Sequence, residues 1–294
     1  MQHLVDTNDF TDKQIASIMA DTRNFKAKRT NNRLLHNKLL ITLFFESSTR
    51  TRSSFEVAAK RLGASVVHLD PSKSSTNKGE SLDDTFANLC AMEPDGVIIR
   101  HSFNATPQKL ANKNLTPVIN AGAGNYAHPT QALLDYFTMI EHFNTDNLAG
   151  KTIAIVGDIV SSRVASSGIR LFSRMGMRVI LIAPKPFMPD NDLEKYEHLD
   201  EVIDEVDIIM SLRAQLERHK APIFEDYQEY AKEYCITKER LADRNILLLH
   251  PGPVMRNIDI SDEMLEDPRC KVLEQVKNGV YVRMAILKAI LLDV

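Results

Sequence analysis

Apolar runs of strand length recur along the chain, at residues 39–45, 66–69, 96–100, 117–121, 152–156, 178–183, 206–212 and 246–250. Each is rich in the branched and aromatic residues that suit strands. Between several of them the apolar positions change to helical spacing, as at residues 82–90, 131–142 and 162–175. Strands alternating with helices predict an α/β architecture with mostly parallel sheets. Eight such strands also suit a closed barrel. The polar stretch Asn144-Thr145-Asp146-Asn147, placed after a long helical pattern, favours two four-stranded sheets instead. A last apolar helical segment, 280–292, is expected to return to the first half. The predicted division is 1–130 plus 278–294 for one domain and 145–275 for the other, with 131–144 as the helix between them.

Polar residues close many of the strand-like runs. Arg100 and His101 end one, Asp158 follows Gly157, Arg213 follows Leu212, and His250 follows Leu249. Loops begin with polar residues in most proteins. In open α/β sheets, however, ligands bind outside the carboxyl ends of the strands, and repeated cations at those ends point to an anionic ligand.

The densest chemistry lies in Phe44-Phe45-Glu46-Ser47-Ser48-Thr49-Arg50-Thr51-Arg52-Ser53-Ser54-Phe55-Glu56. A strand runs into it, and Phe55, Ala58, Ala59 and Leu62 then fall at helical spacing before Gly63. Ser53 and Glu56 have the spacing of a capping box. A helix start offers unpaired N–H groups and partial positive charge. Ser48, Thr49 and Thr51 add hydroxyls, and Arg50 can grip a phosphate with two nitrogens. Two arginines beside a helix start oppose the macrodipole unless an anion joins them.

Five further segments carry candidate chemistry. Ala121-Gly122-Ala123-Gly124 precedes His128-Pro129-Thr130-Gln131, where His128 either opens a helix or donates to a carbonyl oxygen, with Gln131 one turn later. Ile155-Val156-Gly157-Asp158 and then Arg163 suggest a strand, a turn and a cationic helix start, with one glycine where a dinucleotide fingerprint needs three. Arg213 and Gln215 lie two positions apart, facing one side if the backbone is extended. Ser74 and Lys78 sit in a small polar loop, either an ordinary surface loop or a lid. His250-Pro251-Gly252-Pro253 is a rigid turn that presents backbone carbonyls.

Composition narrows the classes. The 294 residues are 44% hydrophobic and 26% charged, enough for two domain cores. A net charge of -3 and a longest basic cluster of only Lys26-Ala27-Lys28-Arg29 give no reason to expect nucleic acid. No apolar stretch approaches a membrane span, and the first residues lack a signal-peptide pattern. Cys90, Cys235 and Cys270 are widely spaced, and the nine histidines show no ligand motif, so neither a disulfide framework nor a metal is expected. The reading is a cytoplasmic protein.

In their order along essentially the whole chain, these motifs resemble the aspartate/ornithine carbamoyltransferase family. Ser48-Thr49-Arg50-Thr51-Arg52 is similar to its carbamoyl phosphate signature, and His128-Pro129-Thr130-Gln131 to its second one. Within the family, Ser74 and Lys78, Arg213 with Gln215, and His250-Pro251-Gly252-Pro253 resemble the aspartate branch; ornithine enzymes typically carry H-C-L-P at the last position. Gly252 stands where leucine is common. The resemblance implies two Rossmann-like three-layer domains, each with a mostly parallel sheet, joined by interdomain helices. It implies carbamoyl transfer to the α-amine of aspartate in early pyrimidine synthesis, with no cofactor. Implied for carbamoyl phosphate are Ser48, Thr49, Arg50, Thr51, Arg100, His128, Gln131, Gly252 and Pro253. Implied for aspartate are Ser74, Lys78, Arg163, Arg213 and Gln215, and for catalysis Arg50, Thr51, Lys78, Arg100 and His128. It further implies a homotrimer whose sites are shared between subunits, and leaves open a regulatory chain or a dihydroorotase partner. The rivals are a carbamoyltransferase for another amino acid such as ornithine, a catalytically silent binding protein of the same fold, and a nicotinamide-dependent oxidoreductase.

Overall fold

The apolar runs form the strands of two parallel sheets. The computed structural model describes residues 1–28, 33–69, 79–218 and 223–292. The chain divides into two compact units, Met1–Leu134 with Val276–Val294, and Asp135–Gln275.

The first unit opens with α1 (Asp12–Lys28), β1 (Leu39–Phe44), α2 (Thr49–Arg61), β2 (Ser65–Leu69), α3 (Leu82–Cys90), β3 (Gly96–His101), α4 (Thr106–Ala111) and β4 (Val118–Ala123). The strands are ordered β2-β1-β3-β4, and every pair is parallel. Ile41, Leu43, Val97 and Ile99 pack on Phe86 and Leu89 of α3 and Leu110 of α4. Their alternates Leu40, Thr42 and Ile98 are fully buried as well. Burial on both faces explains why these strands read as continuous apolar runs. β4 extends two residues beyond the expected end, so Gly122 and Ala123 belong to the strand.

Helix α5 (Pro129–His142) contains the boundary between the units. The second unit then runs β5 (Thr152–Val156), α6 (Arg163–Arg174), β6 (Arg178–Ile182), β7 (Glu194–Tyr196), β8 (Ile208–Ser211), α7 (Tyr227–Tyr234), α8 (Lys238–Leu241), β9 (Leu247–Leu249) and α9 (Asp262–Leu265). Its sheet is again parallel, in the order β7-β6-β5-β8-β9. The expectation of four strands is therefore one short. β7 is a three-residue edge strand of Glu, Lys and Tyr, too short and too polar to leave a hydrophobic period. The last helix, α10 (Val272–Leu291), starts earlier than expected because its first two turns are largely polar. It packs on the first unit, where Lys288 binds Asp21 at 2.7 Å and Lys26 donates to Asn278 at 2.8 Å. Among the described residues, no helix is long and apolar enough to cross a membrane.

Candidate active site

In the first unit, β2 and β3 lie on opposite sides of β1, so the order in which strands are added reverses between β1 and β3. A crevice outside the strand ends at such a point is the usual ligand site of this architecture. Phe44 and Arg100 are register partners there. Helix α2 starts just beyond, with Ser48 as its N-cap. The Ser48 side chain makes no cap hydrogen bond, and the first turn holds no acidic residue. Helices α3, α7 and α9 differ: Ser81, Asp226 and Ser261 cap them by side chain, and acids sit in their first turns. The positive end of α2 is therefore not offset by its own cap side chain or by a first-turn acid, an arrangement able to receive an anion, and Thr49, Arg50 and Thr51 bring further donor groups there. Thr51 is buried. Arg50 reaches solvent, yet surrounding protein removes part of its hydration and lowers its pKa below the ordinary guanidinium range.

The expected capping box does not form. The helix begins four residues before Ser53, and Glu56 instead lies 3.7 Å from Arg52 one turn away. Arg52 also donates through Nη1 to His68 Nε2 at 2.8 Å. The other ring nitrogen, Nδ1, then carries the proton and donates to Thr42 Oγ1 at 3.0 Å. Arg52 ties α2 to β1 and β2, which leaves Arg50 as the signature arginine at the strand ends.

Arg100 donates through Nη1 to Ala121 O at 3.3 Å, and its Nε lies 3.4 Å from Glu46 Oε2. The next residue, His101, is structural. Its Nδ1 accepts the Phe103 N–H at 3.0 Å and faces Thr106 Oγ1 at 3.2 Å, and its ring packs on Phe45. Burial lowers the His101 pKa, against the opposing pull of Glu46. His128, 4% exposed, immediately precedes α5, and its carbonyl accepts the N–H groups of Gln131 at 3.0 Å and Ala132 at 3.2 Å. Gln131 is buried in the first turn. The first unit therefore gathers a helix start, hydroxyls and Arg100 at neighbouring strand ends, with His128 and Gln131 after β4.

In the second unit, the reversal falls between β5 and β8. Gly157 follows β5 at φ +118, where a Cβ would lie 3.0 Å from Leu212 O. Only glycine allows the loops after β5 and β8 to approach this closely. Ser162 accepts the Ala165 N–H at 3.2 Å and starts α6, with Arg163 as its first residue. Gln215 Nε2 donates to Ser161 O at 3.4 Å, which joins the loop bearing Arg213 and Gln215 to the one leading into Arg163. Arg213 pairs with Glu217, and Glu217 also accepts from Tyr227 Oη at 2.9 Å. After β9, Gly252 takes φ +68 in the turn that holds Pro251 and Pro253. A leucine at this φ would be strained. Ser74 and Lys78 lie outside the described residues.

Two buried residues escaped the sequence reading. Arg283 of α10 donates to Ser54 Oγ at 3.0 Å, Gly279 O at 3.1 Å and Thr130 Oγ1 at 3.3 Å, and its guanidinium lies over the Phe55 ring. Its signal is a lone cation inside the apolar run Val280-Tyr281-Val282-Arg283-Met284-Ala285-Ile286-Leu287. Asp259 is 1% exposed, and its signal is an acid between Ile258 and Ile260.

Residues 2–141 match the family model described as aspartate/ornithine carbamoyltransferase, carbamoyl-P binding domain, and residues 149–290 match its Asp/Orn binding domain. The aspartate carbamoyltransferase catalytic subunit of Sulfurovum sp. (strain NBC37-1) is 74% identical over 293 residues, covering 100% of this chain and 99% of that protein. The catalytic subunit of M. jannaschii aspartate transcarbamoylase superposes with a TM-score of 0.87 at 32% identity, covering 100% and 99% of the two chains. The ornithine carbamoyltransferase of Thermus thermophilus also reaches 0.87, at 25% identity and 99% coverage of each chain. Backbone shape is thus common to both branches, and sequence separates them.

Proposed function

Because the chain belongs to the aspartate/ornithine carbamoyltransferase family, we propose that it transfers the carbamoyl group of carbamoyl phosphate to the α-amine of L-aspartate. The products are N-carbamoyl-L-aspartate and phosphate, an early step of pyrimidine synthesis. The observation that carries this reading is the 74% identity, over the full length, with a relative named for that activity.

The neutral amine attacks the carbonyl carbon and forms the new C–N bond. The C–O bond to phosphate breaks, and the departing phosphate takes the amine's proton. No covalent enzyme intermediate is needed, so the protein's part is positioning and charge stabilisation. Ser48, Thr49, Arg50 and Thr51 hold the phosphate at the start of α2. Arg100 reaches the phosphate and the carbonyl oxygen, and His128 with Thr51 polarises that oxygen as it becomes negative. Gln131 and the backbone carbonyls of the 251–253 turn orient the carbamoyl amino group. Arg163 takes the α-carboxylate, and Arg213 and Gln215 take the β-carboxylate. The Arg213 fork has five N–H donors, so its pairing with Glu217 leaves others for substrate. The cationic side chain of ornithine would be repelled at the same place.

The working assembly in this reading is a homotrimer in the cytoplasm, with Ser74 and Lys78 serving a neighbouring subunit's site. The resemblance of the 74–80 segment to the aspartate branch supports it. The deciding assay measures ureido product from carbamoyl phosphate with aspartate or ornithine. Turnover with aspartate alone is expected. Preference for ornithine would overturn the acceptor assignment, and turnover of neither would favour a silent binding protein.

A further inference from the structure

Asp259 is given no part in the proposed reaction, yet its side chain meets three donors. Its Oδ1 accepts the Ala214 N–H at 3.1 Å. Its Oδ2 accepts the Met255 N–H at 2.8 Å and meets His250 Nε2 at 3.2 Å. His250 Nδ1 accepts the Gly252 N–H at 2.8 Å, so Nδ1 carries no proton and Nε2–H is the donor to Asp259. The side chains of both residues are 0% exposed. The backbone of Asp259 joins in, its carbonyl accepting from Ser211 Oγ at 3.3 Å and from the Ile236 N–H at 3.0 Å.

A carboxylate between two isoleucines is costly to bury and persists only where several donors meet it. Here those donors come from two separate segments. Ala214 lies between Arg213 and Gln215 in the loop after β8. Gly252, through His250, lies in the turn after β9. Asp259 therefore fastens both loops to one point.

We propose that Asp259 and His250 form a positioning pair that locks the Arg213–Gln215 loop and the 250–253 turn together, fixing the geometry with which the acceptor amino acid is held. This inference rests on the reading of Arg213 and Gln215 as the acceptor's ligands. Neither member of the pair touches substrate; both act through backbone amides.

The test compares Asp259→Asn with wild type. Asparagine keeps the shape but offers one acceptor oxygen to three donors, and its own amino group faces N–H groups. The expected result is a KM for aspartate raised at least tenfold, with a clearly smaller rise in the KM for carbamoyl phosphate, whose amino group is also held by the 251–253 turn. Amide exchange at Ala214 and Met255 should quicken, with β5 exchange unchanged. His250→Asn, which keeps an acceptor for Gly252 but cannot reach Asp259, should shift aspartate KM the same way if Asp259→Asn fails to fold. His250→Gln, which keeps a donor toward Asp259, should recover part of the loss. An aspartate KM within twofold of wild type in both disrupting variants would overturn the proposal, as would an equal rise in both substrates' KM values. Wild type that carbamoylates ornithine would sink the acceptor reading alone, and the exchange rates at Ala214 and Met255 would still decide whether the pair fastens the loops.

Discussion

Arg50 and Arg52 stand two positions apart, and their surroundings give them different work. Arg52 is committed to His68 and Glu56. Arg50 is left partly desolvated at a helix start with no acid in its first turn. His128 is buried where α5 begins, in a low-dielectric setting where one donor aimed at a developing oxyanion matters most. Loss of such a donor typically costs about 2.7–4 kcal/mol of barrier, so His128→Ala should lower kcat by about a hundredfold or more. Steady-state kinetics at saturating substrates would check this, and unchanged turnover would remove His128 from the proposed role. His101 should report through stability instead. Burial holds its pKa below the ordinary 6.5, so the folded protein keeps it neutral while the unfolded chain takes up a proton. Its contribution is intact above pH 6.5 and falls as pH drops from there toward the lowered value. Melting curves across that range should show His101→Asn, which keeps the acceptor for Phe103, losing less stability than wild type. Parallel curves would contradict this.

At the level of elements, the central strands were legible because each is buried on both faces and reads as an unbroken apolar run. Thr152–Val156 was read to the residue. β7 left no such pattern because it is polar, short and at an edge. The start of α2 was misplaced because Ser53 and Glu56 imitate a cap inside a helix whose own cap side chain is unused. Arg100 and Arg213 could be singled out because each breaks an apolar run at a strand end, Arg100 as the penultimate residue of β3 and Arg213 two residues past β8. Arg283 and Asp259 could not be placed from spacing, since their partners are remote: Ser54 is 229 residues from Arg283, and Ala214 is 45 from Asp259. Arg283 joins α10 to α2 and α5, the two helices that begin within the segments resembling the family's two signatures. Arg283→Met would leave the Ser54 and Thr130 hydroxyls without that donor. Abandoned buried polar groups cost about 1–3 kcal/mol, and each kcal/mol lowers Tm by roughly 2–4 °C in chains somewhat smaller than this one. Calorimetry should show a drop of several degrees, together with a raised KM for carbamoyl phosphate. An unchanged Tm would mean the arginine is dispensable.

Across the whole molecule, the same arrangement occurs twice. Each unit is a parallel sheet that grows outward from its first strand, and each places cations at the point where strand order reverses. That repetition suits two anionic substrates, one for each unit. The proposed sharing of Lys78 between subunits makes a further demand on the assembly. Mixed trimers of Ser48→Ala and Lys78→Ala chains, each inactive alone, should regain part of the activity, and no recovery in verified mixtures would refute the shared site. The most direct measurement is a crystal structure with N-(phosphonacetyl)-L-aspartate, which carries both substrates' negative groups on one molecule. The account predicts its phosphonate at the Ser48–Thr51 helix start and its carboxylates on Arg163, Arg213 and Gln215. A phosphonate bound away from α2, or carboxylates that leave Arg163 and Arg213 untouched, would contradict it.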